Sequence, residues 1–308
     1  MLQLPQQKTI AVIGDSILDA YDDGDYADMD TPIFRIRSRK YVPGGAGNVA
    51  RNIQSLGGEP LLYSVVGVDP PSERYIWELK KAGIGVDCLV KDSRRTICLK
   101  TRLLHKGAPL IRIDRESASP AVDDNKLYSQ MTNIPSDCKT VILSDYAKGC
   151  LSPGLVNRIS RFVRVKGKRL FVDSKSATIP SLAYVYKPNL REFEKMVGAK
   201  LEKMEEIHAA ALAFKRHYRI QHLIVTMDRR GLLWMDEKEN GRAMPSTVVN
   251  PVDSCGAGDS FLAALALESA RGKAMEEAIY TANLAAGAAC RHVGTYAVRP
   301  SDIAVRLY

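Results

Sequence analysis

Short apolar runs alternate along the chain with stretches whose apolar residues recur at helical spacing. TIAVIGD (9–15), PLLYSVVG (60–67), VILSD (141–145), LFVDSK (170–175), VYKPN (185–189) and LIVTM (223–227) are runs of strand length. They suit strands covered on both faces rather than the in-and-out alternation of a half-exposed sheet. Between them, 47–56, 72–83, 152–165 and 201–217 read as helices, and SERYIWELKKAG (72–83) ends on a Gly stop. The alternation predicts an α/β fold, with a mostly parallel central sheet and helices on both faces.

Two stretches break this rhythm. Residues 20–43 are polar and read as irregular. TICLKTRLLHKGAPLIRID (96–114) alternates with period two around Lys106-Gly107, which predicts a hairpin. Both are expected outside the main sheet, as a small β lid on one domain spanning 1–308. No repeat, low-complexity tract or linker divides the chain. Trp77 and Trp234 are expected as core aromatics.

Composition narrows the class. Of 308 residues, 45% are hydrophobic and 26% charged, as in soluble globular proteins. The excess of 44 Lys+Arg over 35 Asp+Glu gives a net charge of +9, which suits phosphorylated metabolites, nucleotides or nucleic acid without choosing among them. The six cysteines (88, 98, 138, 150, 255, 290) are scattered without a C-x-x-C pair, so neither a zinc site nor a disulfide framework is expected. No apolar window approaches the ~18 residues of a membrane span, and the start MLQLPQQKTIAVIGD carries no leader pattern. The expectation is a reduced, cytoplasmic protein.

Open α/β sheets bind ligands beyond the carboxyl ends of their strands. Asp15, Asp145, Asp173, Asn189 and Thr226 stand at such ends. DSCGAGDSF (253–261) then places Gly256, Ala257 and Gly258 directly before an apolar helical pattern. Small residues at a helix start leave unpartnered N–H groups facing outward at the positive end of the dipole, which makes an anion hole. Asp259, in the first turn, also reads as a plain dipole residue. In phosphoryl transfer it would be the base that takes the proton of an attacking hydroxyl. PGGAGNVARNIQSLGG (43–58) sets glycines before another helix: Gly44 and Gly45 allow close backbone approach, and Asn48 can donate and accept toward sugar hydroxyls. Alone, this segment reads first as a glycine-rich turn with an Asn cap. It is neither a Walker A loop nor a G-x-G-x-x-G fingerprint.

Together, GGAGNVA (44–50) and DSCGAGD (253–259) resemble the two signatures of the ribokinase-like (PfkB) carbohydrate kinases. IGDSILD (13–19), KPNLREFE (187–194), TMDRRG (226–231) and NLAAGAACRHVGT (283–295) match further segments in that family's order over nearly the whole chain. Within the family, LSDYAKG (143–149), LIRID (110–114) and YKPNLREFEKMVG (186–198) are similar to its heptose-7-phosphate kinases. The resemblance implies a ribokinase-like fold and an ATP-dependent sugar kinase acting on the anomeric hydroxyl of that heptose phosphate. Fructose, ribose, fructose 6-phosphate or a nucleoside are the alternatives. With no nucleotidyltransferase half before Tyr308, a stand-alone kinase is expected.

The implied roles are these. Asp259 is the base over the hole of Gly256, Ala257 and Gly258. Asp15, Gly44, Gly45 and Asn48 hold sugar hydroxyls. Asn189 and Glu192 position Mg²⁺ through water. Thr226, Gly231 and Asn283 line the ATP site, and Asp253 binds a monovalent cation such as K⁺. Lys100, Arg102, Arg112 and Lys148 are candidates for a cationic clamp on a sugar phosphate, with Asp145 and Asp114 orienting them or touching the sugar. Homodimerisation through the lid is a further expectation. Two departures stand out: Cys255 where the family carries a β-branched residue, and DMDTPIFRI (28–36) in place of a proline-rich stretch.

Two rivals belong to other classes. IGDSIL also resembles the opening of GDSL-type esterases, with Ser16 as nucleophile, but none of the five histidines has an Asp three residues before it. RIRSRK (35–40) and RFVRVKGKR (161–169) are basic, yet lack the interleaved aromatics of a nucleic-acid platform. Neither nucleic acid nor a membrane is an expected partner.

Overall fold

The computed structural model describes residues 8–28, 33–116, 123–248 and 251–304. The chain begins with β1 (Thr9–Gly14), leaves as a long ribbon of β2 (Ser16–Asp28) and β3 (Ile33–Gly45), and enters α1 (Ala46–Ser55). It returns through β4 (Glu59–Val66), α2 (Pro70–Lys81) and β5 (Leu89–Lys91), then forms a second ribbon of β6 (Cys98–His105) and β7 (Ala108–Arg115). Helices and strands follow as α3 (Asp124–Met131), β8 (Thr140–Asp145), α4 (Pro153–Val165), β9 (Arg169–Ser174), β10 (Val185–Tyr186), α5 (Leu190–Val197), α6 (Met204–Tyr218) and β11 (His222–Thr226). An antiparallel edge of β12 (Leu232–Met235) and β13 (Gly241–Met244) precedes α7 (Ala257–Ala270), α8 (Met275–Ala289) and α9 (Pro300–Ala304).

The main sheet runs β13-β12-β11-β10-β9-β8-β1-β4-β5 and is parallel apart from β12 and β13. Its apolar runs are buried on both sides. In β1, Ile10 and Val12 belong to one core with α1, α7 and α8, while Ala11 and Ile13 belong to the other, under α3 to α6. The same alternation puts Ile142 of β8 in the first core, and Val141 and Leu143 in the second. Helix α7 is apolar nearly all round because it lies wholly inside, between α1 and α8, with Leu262, Leu265 and Leu267 fully buried. No helix among the described residues is long and apolar enough to cross a membrane.

The segments expected as a lid form a second, four-stranded sheet, the lid sheet, in the order β3-β2-β6-β7. The hairpin at Lys106-Gly107 has φ 51° and 77° at its two turn residues, the left-handed pair that a two-residue hairpin turn of matching twist requires. The expectation of irregular structure over 20–43 is corrected, because these residues carry two 13-residue strands. Their polarity hid them, and also pairs them. An acidic strand (Asp22, Asp23, Asp25) lies opposite a basic one (Arg35, Arg37, Arg39), with Arg39 Nε 2.5 Å from Asp22 Oδ1 and Arg37 2.9 Å from Asp25. Residues 29–32, within the departing segment 28–36, lie outside the described residues.

Two smaller expectations change. Trp234 is a core residue, but Trp77 is 49% exposed, under the guanidinium of Arg74 at 4.4 Å. Its face of α2 is opposite that of the buried Tyr75 and Leu79. The ladder of VYKPN stops after Tyr186, since Pro188 has no N–H to give. Asn189 rejoins the sheet as an isolated bridge to Thr226.

The tightest backbone approach in the sheet predicts a sensitive position. A Cβ on Gly14 would run into the Ser144 carbonyl oxygen on the neighbouring strand. Gly14→Ala should therefore lose about 1–3 kcal/mol of stability. Gly85→Ala, where a Cβ meets open space, should leave the thermal unfolding midpoint unchanged in the same experiment.

Candidate active site

The start of α7 has the form expected of an anion hole. Gly256, its N-terminal flanking residue, is left-handed at φ 77°, and no side chain caps the helix. A Cβ on Gly256 would stand 2.7 Å from Asn48 Nδ2, so glycine is required here both by conformation and by space. Beside the exposed Gly258 lie Lys187 Nζ and Asp173 Oδ2, 3.6 and 3.7 Å from where its Cβ would be. The Lys187 ammonium is buried and 2.8 Å from Asp173. The N–H of Ala257 donates to Ser254 O at 3.2 Å, so an anion at this helix start meets the N–H groups of Gly258 and Asp259, a dipole end and a fixed cation.

Asp259 is 3% exposed at the floor of this hole. Asn48 Nδ2 donates to its Oδ2 at 2.9 Å, and the Tyr146 hydroxyl donates to its Oδ1 at 2.6 Å. The Asn48 amide is oriented by the donors that reach its oxygen, Asn52 Nδ2 at 3.3 Å and Arg51 Nη1 at 3.4 Å. Burial pushes the Asp259 carboxyl up to about 6, against the pull of these two hydrogen bonds. A buried carboxylate with that affinity is suited to take a proton near neutral pH.

The lid closes the other side. Arg102 Nη1 is 2.6 Å from Asp19 Oδ1, and its Nη2 reaches Cys255 Sγ at 3.3 Å. A Cβ on Gly44 would collide with Asp19 Oδ2. Gly45, at φ 57°, starts α1 and so aims Asn48. The β6–β7 register sets Lys100 opposite Asp114 and Arg102 opposite Arg112, all on one face of the lid. Each cation there has a carboxylate: Lys100 with Asp114 at 3.2 Å and Glu116 at 3.4 Å, Arg112 with Asp114 at 2.9 Å, Lys148 with Glu116 at 2.7 Å.

Other expected site residues are spent on structure. Asp15 is fully buried and accepts backbone N–H groups from Tyr146, Lys148 and Cys150 at 2.8, 3.1 and 2.9 Å. It shapes the 146–150 loop, and the carboxylate turned to the lid is that of Asp19. Asp145 accepts from Ala147 N and Ser174 Oγ at 2.8 and 2.7 Å. Asp253 accepts from Cys255 N and Gly294 N, both at 2.9 Å, as a turn residue. Ser16 is buried with its hydroxyl 2.7 Å from that of Ser64, which leaves the esterase reading without a nucleophile at a surface.

The expected nucleotide residues gather along the neighbouring strand ends. Asn189 and Glu192 form a reciprocal capping box at the start of α5, each bond 2.9 Å. Thr226 bridges to Asn189. Gly231, at φ 84°, sits where a Cβ would strike the Met244 carbonyl, and Asn283 Nδ2 donates to Pro245 O at 2.8 Å. Gly231 and Asn283 therefore meet across the 244–247 segment. His292 stacks on Tyr296 at 3.6 Å as local packing.

Four residues of the site escaped the sequence reading: Asp19, Glu116, Tyr146 and Lys187. Lys187 sits two residues before Asn189 in a segment already singled out. Lysine is mostly exposed, so composition gives it no weight. Two outcomes follow from this geometry. With Asp259 as the base, kcat should fall on the acid side with a limb near pH 6, since a carboxyl accepts a proton only when ionised. Gly256→Ala should displace Asn48 and cost about 10²-fold in kcat, and its left-handed φ should also lower the unfolding midpoint.

The description "pfkB family carbohydrate kinase" matches residues 7–302. The chain is 31% identical over 300 residues to the Bifunctional protein HldE of Escherichia coli O9:H4 (strain HS), covering 96% of this chain and 62% of that protein. It is 32% identical over 307 residues to that of Bradyrhizobium sp. (strain ORS 278), covering 96% and 63%. The chain thus spans under two thirds of the length of these curated relatives. Phosphofructokinase-2 from Escherichia coli in complex with substrates and products has the same fold, with a TM-score of 0.82 at 22% identity over 96% of this chain and 97% of that one. Arabidopsis thaliana ribokinase complexed with ribose and ATP gives 0.72 at 18% identity, over 94% of each. The chain belongs to the pfkB family of carbohydrate kinases.

Proposed function

We propose that this kinase transfers the γ-phosphoryl of ATP to the anomeric hydroxyl of a heptose 7-phosphate. The observation that carries the reading is the pairing of two features. One is a buried base under an uncapped helix start. The other is a lid face bearing Lys100, Arg102, Arg112 and, from the facing loop, Lys148. The first serves any sugar kinase. The second supports an acceptor with its own phosphate, and the segments similar to heptose-7-phosphate kinases narrow it further.

In this reading Asp259 accepts the proton of the acceptor hydroxyl. The oxygen bonds to the γ-phosphorus, and the bond to the β-phosphate oxygen breaks with its electrons staying on ADP. The N–H groups of the α7 start, with Lys187, hold the transferring oxygens. Asp19, Gly44 and Asn48 meet the sugar. The lid cations exchange their carboxylates for the sugar's phosphate. Thr226, Gly231 and Asn283 line the side that takes the nucleotide. No three His, Cys, Asp or Glu side chains among the described residues close around one point, which fits Mg²⁺ held mainly by phosphates and its own water. Glu192 and Asp173, close enough to act on each other's charge, would receive that water, and the ion would neutralise phosphate charge. K⁺ beside Asp253 and assembly of two copies through the lid complete the reading. Ile111 and Ile113, both more than half exposed on the lid face opposite Arg112, support the latter.

An ADP-release assay with ATP and Mg²⁺ across heptose 7-phosphate, fructose 6-phosphate, fructose, ribose and adenosine tests the acceptor. Turnover restricted to heptose 7-phosphate is expected, and turnover on an unphosphorylated sugar would refute the clamp. Asp259→Asn should stay folded and lose about 10²–10⁴-fold in rate. A variant with wild-type turnover would remove Asp259 from the role of base.

A further inference from the structure

Each oxygen of Asp259 has one side-chain partner. Asn48 belongs to a recognised motif. Tyr146 lies in the 146–150 loop, where only the cation Lys148 drew attention. Yet Tyr146 makes the shorter of the two bonds, 2.6 Å to Oδ1 against 2.9 Å to Oδ2.

Tyr146 is fixed at three points. Its backbone N–H is held 2.8 Å from Oδ2 of the fully buried Asp15. The Lys175 ammonium stands 3.9 Å from the centre of its ring. Its hydroxyl is on Asp259. A side chain pinned at backbone, ring and tip does not drift, so the carboxylate it holds does not either.

We propose that Tyr146 is a positioning residue for the phosphoryl transfer, its hydroxyl fixing the Asp259 carboxylate to receive the acceptor's proton and setting the pH below which transfer stops. This rests on the reading of Asp259 as the base. Desolvation and the neighbouring carboxylate push the phenol well above its ordinary range, so it donates throughout the working pH and keeps its own proton during the reaction. Its hydrogen bond favours the charged form of Asp259, in opposition to burial. The other groups facing Asp259 are Asn48 from α1, Asp173 and Lys175 from the end of β9, Lys187 paired with Asp173, and Cys255 on the approach to α7. Asp173 raises the carboxyl and Lys175 lowers it. Tyr146 is the group in direct contact whose hydroxyl can be removed without removing a charge.

The test reads the Asp259 carboxyl itself, by ¹³C NMR titration of aspartate-labelled protein without substrates, with Asp259→Asn identifying the signal. Tyr146→Phe should raise the midpoint from about 6 by about one pH unit. 3-Fluorotyrosine introduced at position 146, a stronger donor of the same shape, should lower it. With whichever acceptor of the panel turns over, the acid limb of kcat should shift in the same two directions while KM for ATP holds. A midpoint that stays put in both variants overturns the proposal, however far the plateau rate falls. If the phenylalanine variant does not fold, the fluorotyrosine titration decides alone. An inactive Asp259→Asn with unmoved midpoints would refute only the role of Tyr146. An active Asp259→Asn would refute the base reading beneath it.

Discussion

A carboxylate with no exposure to water organises this site from beneath. Asp15, at the end of β1, takes three backbone N–H groups from the loop after β8, and Arg95 stands 3.8 Å away while donating to the carbonyls of Lys148 and Gly149. A buried charge persists only when its hydrogen-bonding capacity is met. Here it is met by main chain, so folding the loop and satisfying the charge are one event. From that loop Tyr146 reaches Asp259, and Lys148 reaches the lid through Glu116. The Asp259 floor and the lid rim therefore hang from the same buried group.

The cations of the lid are balanced rather than bare. A phosphate entering there does not gain the full attraction of free charges, since it must displace Asp114, Glu116 or Asp19 from partners they already hold. Such exchange trades one charge-assisted contact for another and discriminates by shape and charge number more than by raw affinity. The Lys187–Asp173 pair presents the same logic at the other end of the site, with the difference that its cation is buried.

The main sheet could be read from the sequence because burial on two faces leaves a continuous apolar signature, as in β1 and β8. The lid strands 16–28 and 33–45 could not, because Asp and Arg rows stabilise each other only once the register is known. The helix start at Gly256 was legible since small residues there have few other uses. The choice between Asp15 and Asp19 was not: both sit in one heptapeptide, and only the turn from β1 into β2 decides which is swallowed and which faces Arg102. Tyr146 and Lys187 were hidden for a related reason, since their importance lies in partners remote along the chain.

That remoteness has a consequence for assembly. Asn48 and Asp259 are 211 residues apart and share a hydrogen bond, and the helix that carries Asp259 is apolar on nearly every side. During synthesis the glycine-rich segment, the lid and most of the sheet emerge well before α7. Until then α1 and the sheet face beneath it lack their cover, and contacts of such sequence separation close slowly. The nascent chain must spend that interval with an apolar seam open. The helix start that carries Asp259 is set in place in the same step that seals the seam, so a chain that has not finished burying its core has no active site to misuse.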